Sequence, residues 1–290
     1  MTRLLAIMGS GETSPTMVKT HRSLFDRLGP GAAAVLLDTP FGFQENADDI
    51  AARAVEYFAQ SVGRAIDVAR LRGGDDDALT RESAYEKVRA AAYVFSGPGS
   101  PSYALREWEG SPVPGALAAK LRDGGCVCFA SAAALTLGAV TVPVYEIYKV
   151  GEAPHWLPGV DLLSTLGIPA AVIPHFDNVE GGNHDTRYCY LGERRLRVLE
   201  EQLPPGTFVL GVDEHTACVF DLDDGTFAVT GLGGVTVRRG GHQRVFASDT
   251  TTSITELTES GTGGGHPVGG AAAVEAATGA QPATRSPLLD

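Results

Sequence analysis

Gly124-Gly125-Cys126-Val127-Cys128-Phe129-Ala130-Ser131-Ala132-Ala133-Ala134-Leu135-Thr136-Leu137-Gly138 is the stretch that decides the fold. Its first half is apolar at consecutive positions, as expected of a strand covered on both faces. Its second half is alanine-rich and helical in pattern, and Ser131 stands at the junction between small neighbours. A buried strand running straight into a helix is the repeating unit of a mostly parallel sheet. Small flanking residues also suit a nucleophile elbow, whose tight turn lifts a serine hydroxyl above the sheet. The amide of Ala132, at the helix N-terminus, would then face a developing oxyanion. Taken alone, the segment reads first as close packing of a helix on a sheet, with Ser131 as an N-cap.

Outward from this unit the same alternation recurs. Leu4 to Met8, Ala33 to Leu37, Ile66 to Leu71, Ala92 to Phe95 and Ala170 to Ile173 are strand-like apolar runs. Helical patterns lie between them, over about Asp48 to Val62, Arg81 to Ala91, Gly115 to Arg122, Ala132 to Ala139 and Tyr190 to Leu203. Strand-helix alternation predicts a three-layer α/β fold, a mostly parallel sheet with helices on both faces. After Gly206 the pattern turns to strands, with Ala217 to Asp221 and Thr226 to Val229 joined through the hairpin turn Asp223-Asp224-Gly225. Val235 to Arg238 and Arg244 to Ala247 are expected as edge strands. One α/β domain over residues 1–248 is expected, followed by a flexible Gly- and Ala-rich tail over 249–290 that lacks apolar surface to offset its ordering entropy.

Two further segments close strand-like runs with groups that serve acid-base chemistry. Pro174-His175-Phe176-Asp177-Asn178 sets a histidine at the carboxyl end of a strand, where α/β sheets bind ligands. Such a histidine can take a serine proton and return it to a leaving amine. Gly211-Val212-Asp213-Glu214-His215-Thr216-Ala217 offers a carboxylate, Asp213 or Glu214, to hold the imidazole in the right tautomer. One sheet edge could gather Ser131, His175 and Glu214. Gly97-Pro98-Gly99-Ser100 could lend a second backbone amide to an oxyanion hole, or only reverse the chain. Gly9-Ser10-Gly11-Glu12 lacks the third glycine of a dinucleotide fingerprint, so no cofactor is expected. His175, Asp177, His184 and Asp185 match no compact zinc spacing, so no metal is expected.

Composition narrows the setting. Lys and Arg number 23 against 35 Asp and Glu, a formal net charge of −12, which argues against sequence-independent nucleic-acid binding. Apolar content of 43% suffices for a large core. Cys126, Cys128, Cys189 and Cys218 form no disulfide framework, as expected of a reduced cytoplasmic protein. The first apolar run is too short for a signal h-region, and no run reaches the roughly 20 residues of a membrane span.

Together these residues resemble the peptidase E and cyanophycinase family of serine peptidases, on the class I glutamine amidotransferase-like fold. Gly9 to Glu12, Phe95 to Ser100, Ala130-Ser131-Ala132, Pro174-His175 and Asp213-Glu214 with Thr216-Ala217 carry the likeness over residues 1 to about 240. The resemblance implies a Ser131 nucleophile, a His175 base, a Glu214 acid, and an oxyanion hole from Gly97, Gly99 and Ala132. It implies a small peptide or amide substrate, with aspartyl peptides as the class. The polar run Glu180 to Arg187 is expected to wall the substrate pocket through His184, Asp185 and Arg187, with Arg187 meeting a substrate carboxylate. A homodimer is the assembly considered. Two positions depart from the family pattern: Ala133 stands where the elbow usually has glycine, and Pro98 where the turn does. They motivate the alternative, a non-catalytic binding or regulatory protein on the same fold.

Overall fold

Strands form where the sequence is apolar at consecutive positions, and the computed structural model describes residues 2–74 and 76–259. The strands are β1 (Arg3–Met8), β2 (Ala34–Leu37), β3 (Asp67–Ala69), β4 (Tyr93–Ser96), β5 (Gly125–Ala130), β6 (Val140–Thr141), β7 (Leu157–Pro158), β8 (Ala170–Ile173), β9 (Phe208–Val212), β10 (Thr216–Asp221), β11 (Thr226–Gly231), β12 (Gly234–Arg239), β13 (His242–Ala247) and β14 (Thr251–Ser253). The helices are α1 (Val18–Leu28), α2 (Ala47–Tyr57), α3 (Ala78–Ala90), α4 (Pro101–Trp108), α5 (Val113–Asp123), α6 (Ser131–Leu135), α7 (Gly192–Glu201) and α8 (Thr255–Thr258). None of the helices among the described residues is long and apolar enough to cross a membrane.

The main sheet runs β14-β11-β10-β1-β5-β4-β2-β3. Its β1, β5, β4, β2 and β3 are parallel, and the β10–β11 hairpin and β14 extend it antiparallel. All six residues of β5 are buried, as its unbroken apolar run requires. One face packs Leu24 and Phe25 of α1 and Ala51 and Ala54 of α2 against Leu4, Leu36 and Cys128. The other packs Val88 of α3, Trp108 of α4 and Leu117 and Leu121 of α5 against Leu5, Val94 and Phe129. Each such aliphatic or aromatic side chain contributes about 1.5–3 kcal/mol by leaving water.

The expected three-layer α/β architecture and the hairpin are present, but not one sheet. β13-β12-β9-β8 form a second sheet, and β6 and β7 a small pair. Val235 to Arg238 is therefore an inner strand, β12, between β9 and β13. The buried Arg238 binds Glu193 and Glu200, fastening α7 to this sheet. α1 and α4 had no clear pattern: α1 is rich in polar residues, and α4 starts at Pro101 behind a Ser100 cap that the glycine turn masked. α6 ends at Leu135, short of the expected Ala139, and beyond it Gly138 packs so tightly on β8 that a Cβ there would stand 2.3 Å from Ala170 O. Thr251–Ser253 and Thr255–Thr258, assigned to the tail from sequence, form β14 on β11 and then α8; residues 260–290 of that segment lie outside the described residues.

The two sheets meet at Gly9, just past β1. Its amide donates to Thr216 O at 2.9 Å, and its carbonyl accepts from the His175 amide at 3.3 Å. A Cβ on Gly9 would stand 2.0 Å from Asp213 O, so only glycine lets these backbones approach. Gly9→Ala is expected to cost about 3 kcal/mol, the upper range for overpacking, read as a lowered urea midpoint. An unchanged midpoint would mean that the junction yields freely.

Candidate active site

Ser131, His175 and Glu214 converge from three strand ends. Met8 pairs with Ala130 and Ser96 with Phe129, so β1, β5 and β4 finish side by side. β8 and β9 are parallel, with Ile173 beside Gly211, and they finish together in the second sheet. The expectation of a single gathering sheet edge is thus corrected: His175 and Glu214 reach Ser131 from the neighbouring sheet, across the Gly9 junction.

Ser131 follows the fully buried β5 with φ of 49°. Its side chain makes no capping bond, and Ala130 occupies the N-cap position with extended backbone. The left-handed conformation aims the hydroxyl out of the helix line, at a strain of roughly 1–3 kcal/mol. Ala133, the departure from glycine, fits: its amide donates to Gly97 O at 3.1 Å and ties elbow to turn.

Ser131 Oγ lies 3.0 Å from His175 Nε2, and His175 Nδ1 lies 2.7 Å from Glu214 Oε1. The His175 hydrogen bond holds the Glu214 carboxyl below its ordinary value, and Asn178 adds a second one. An ionised carboxylate only accepts, so Nδ1 carries the proton and Nε2 accepts from the Ser131 hydroxyl. Asn178 Nδ2 donates to the same Glu214 oxygen at 3.0 Å, and Asp177 Oδ1 accepts from the Glu214 amide at 2.7 Å. Asn178, fully buried, had no assigned role from sequence; its only signal was its place three residues after the histidine.

Asp213 faces the other way. Its Oδ2 accepts from the Gly234 amide at 2.7 Å, so strand alternation leaves Glu214 alone beside the imidazole. Thr216 braces the turn between them, donating to Glu214 O and accepting from the Gly233 amide.

The loop after His175 returns on itself through Tyr188, Cys189 and Tyr190, three consecutive residues with positive φ. The Cys189 amide donates to His175 O and the Tyr188 amide to Phe176 O, which fixes the histidine's backbone. The Tyr190 ring lies 6.3 Å from His175 and its hydroxyl donates to Glu180 at 2.7 Å. Tyr148 and then His184 continue this aromatic wall. Arg187, expected to be free for a substrate carboxylate, is held by both oxygens of Asp185 at 2.8 Å and lies over the Tyr188 ring. Asp185 also accepts from the Glu193 amide at the start of α7.

At the glycine turn, Gly97 faces the elbow. Gly99 backs onto the exit of β2, where a Cβ would stand 2.0 Å from Pro40 O. The Ala132 amide, in the first turn of α6, is among the helix amides that lack an intrahelical acceptor. Cys128, within β5, is buried and its thiol is pushed up to about 12, so it is no nucleophile at neutral pH. Among the described residues no three His, Cys, Asp or Glu side chains gather as a metal site.

No family model and no curated protein matches the sequence. Solved structures do share its fold. A peptidase from an acI-B1 Actinobacterium superposes with a TM-score of 0.71 at 20% identity, over 88% of this chain and 98% of that one. A protein of Listeria monocytogenes EGD-e described as a candidate Peptidase E gives a TM-score of 0.55 at 13% identity, over 80% of this chain and 100% of that one. At these identities the likeness is one of fold, and it agrees with the peptidase E-like resemblance of the sequence.

The Asp213 carboxyl is pushed up to about 6, chiefly by burial and then by Asp177 and Glu214. Its pKa is higher folded than unfolded, so its ionisation destabilises the fold progressively between about pH 4 and pH 6. Asp213→Asn keeps an acceptor for Gly234 and carries no charge. Its urea midpoint should match wild type near pH 4 and exceed it above pH 6; parallel pH curves would contradict this.

Proposed function

We propose that this chain is a serine peptidase that hydrolyses a peptide or related amide bond through an acyl-enzyme on Ser131. One observation carries the reading: the unbroken hydrogen-bond path from Ser131 Oγ to His175 Nε2, 3.0 Å, and from His175 Nδ1 to Glu214, 2.7 Å. The fold shared with structures named as peptidases supports it.

In this reading Ser131 Oγ attacks the substrate carbonyl carbon while its proton passes to His175 Nε2. Glu214 holds the ring in place and balances the imidazolium charge, and the Ala132 amide receives the oxyanion. The C–N bond then breaks as His175 returns the proton to the leaving amine. Water, deprotonated by the same nitrogen, attacks the acyl ester and releases the acid and the free serine. Ser131's strained backbone keeps the hydroxyl presented throughout, so no rearrangement is needed at the moment of attack.

Aspartyl peptides are the substrate class that the resemblance implies. Asp185 takes the Nε and Nη2 side of Arg187, so a substrate carboxylate anchored there would meet the Nη1 side; Arg187→Ala should change KM more than kcat if that anchor is used.

A fluorophosphonate probe tests the central claim. Wild type should label, Ser131→Ala should not, and Glu214→Gln should label more slowly by roughly 10³–10⁴, as expected when the orienting acid is lost. Equal labelling of wild type and Ser131→Ala, or none in either, would mean that Ser131 is not an activated nucleophile.

A further inference from the structure

The relay depends on a carboxylate that is free to turn unless something holds it. Glu214 carries two equivalent oxygens on a bond with a broad, twofold torsional preference. Its side chain is 26% exposed, so water competes for those oxygens. One oxygen nevertheless takes both contacts: Oε1 accepts from His175 Nδ1 at 2.7 Å and from Asn178 Nδ2 at 3.0 Å. Asp177 accepts the Glu214 amide at 2.7 Å, so consecutive residues after the histidine grip this acid by its backbone and by its side chain.

Asn178 can present only its amino group there. Its Oδ1 accepts from the Glu180 amide at 3.2 Å, a place that an NH2 group cannot fill. The residue is fully buried, and its backbone is tied on both sides. Its amide donates to His175 O at 3.2 Å, closing the turn that starts at the base. Its carbonyl accepts from the Thr186 hydroxyl at 3.4 Å, and that hydroxyl accepts from the Gly181 amide at 3.0 Å. Asn178 is therefore joined to the base through its backbone, to the acid through Nδ2, and to the loop after His175 through Oδ1.

We propose that Asn178 is a positioning residue of the Ser131, His175 and Glu214 relay, pinning Glu214 Oε1 on His175 Nδ1 and so keeping Nε2 aimed at the serine. This rests on the serine-hydrolase reading. The donor's lack of charge matters. A cation at this place would neutralise Glu214 and oppose the imidazolium that forms during attack. The amide of Asn178 orients the carboxylate and leaves its charge to stabilise that imidazolium. A hydrogen bond to an ionised acceptor is also stronger than one between neutral groups, which offsets the cost of burying the donor.

The test is a double-mutant cycle on the rate of fluorophosphonate labelling, run on the full chain. Asn178→Ala should label roughly 10–100-fold more slowly, the range for one hydrogen bond to a charged group. Asn178→Asp keeps the shape and the acceptor for Glu180, and at pH 8 exchanges the donor for a like charge; it should be at least as slow as Asn178→Ala. In a Glu214→Ala background there is nothing to orient, so adding Asn178→Ala should change the rate by no more than about twofold. Wild-type rates in either Asn178 variant would overturn the proposal. So would the same loss with and without Glu214, which would assign Asn178 to loop structure alone. Proton NMR adds a readout free of activity: the His175 Nδ1 proton, held against a carboxylate, should resonate far downfield in wild type and move or broaden in both Asn178 variants. An unmoved signal would count against the proposal in the same way. Failure of the hydrolase reading would be seen separately, as no labelling or labelling that ignores Ser131→Ala; the proton signal would then still report whether Asn178 holds the carboxylate.

Discussion

Two hydrogen bonds to the backbone of Gly9 hold the candidate site together. Through them the end of β1 grips Thr216 on one side and His175 on the other. β1 lies directly beside β5, so the grip brings the imidazole of one sheet to the hydroxyl of another. The approach is closer than a side chain allows, so the absence of a Cβ at one position precedes every other geometric fact about the site. The Ser131 elbow, the tautomer of His175 and the choice of Glu214 over Asp213 all presuppose that contact.

How far this was legible in the sequence depends on the range of the forces involved. β5 and its elbow could be read because burial and small neighbours leave a local mark, six apolar residues and then alanines around one serine. His175 and Glu214 were legible as groups closing apolar runs. Their separate sheet was not, because strand order is a long-range property that no local pattern carries. The glycine turn hid α4, since a Ser100-Pro101 start looks the same whether a helix or a loop follows.

Side-chain commitments were the least legible layer. Arg187 looked free for a ligand in sequence, yet two residues away Asp185 matches its guanidinium with both oxygens. The choice between Asp213 and Glu214 was settled by an amide from Gly234, which lies 21 positions further on.

Ser131, His175 and His215, the last next to Glu214, all adopt backbone angles that residues with a Cβ avoid. Glycine at such places would relax the chain. A thermostability screen scored on folding alone would therefore be drawn to these same corners, and glycine at Ser131 or His175 would also remove the hydroxyl–imidazole contact.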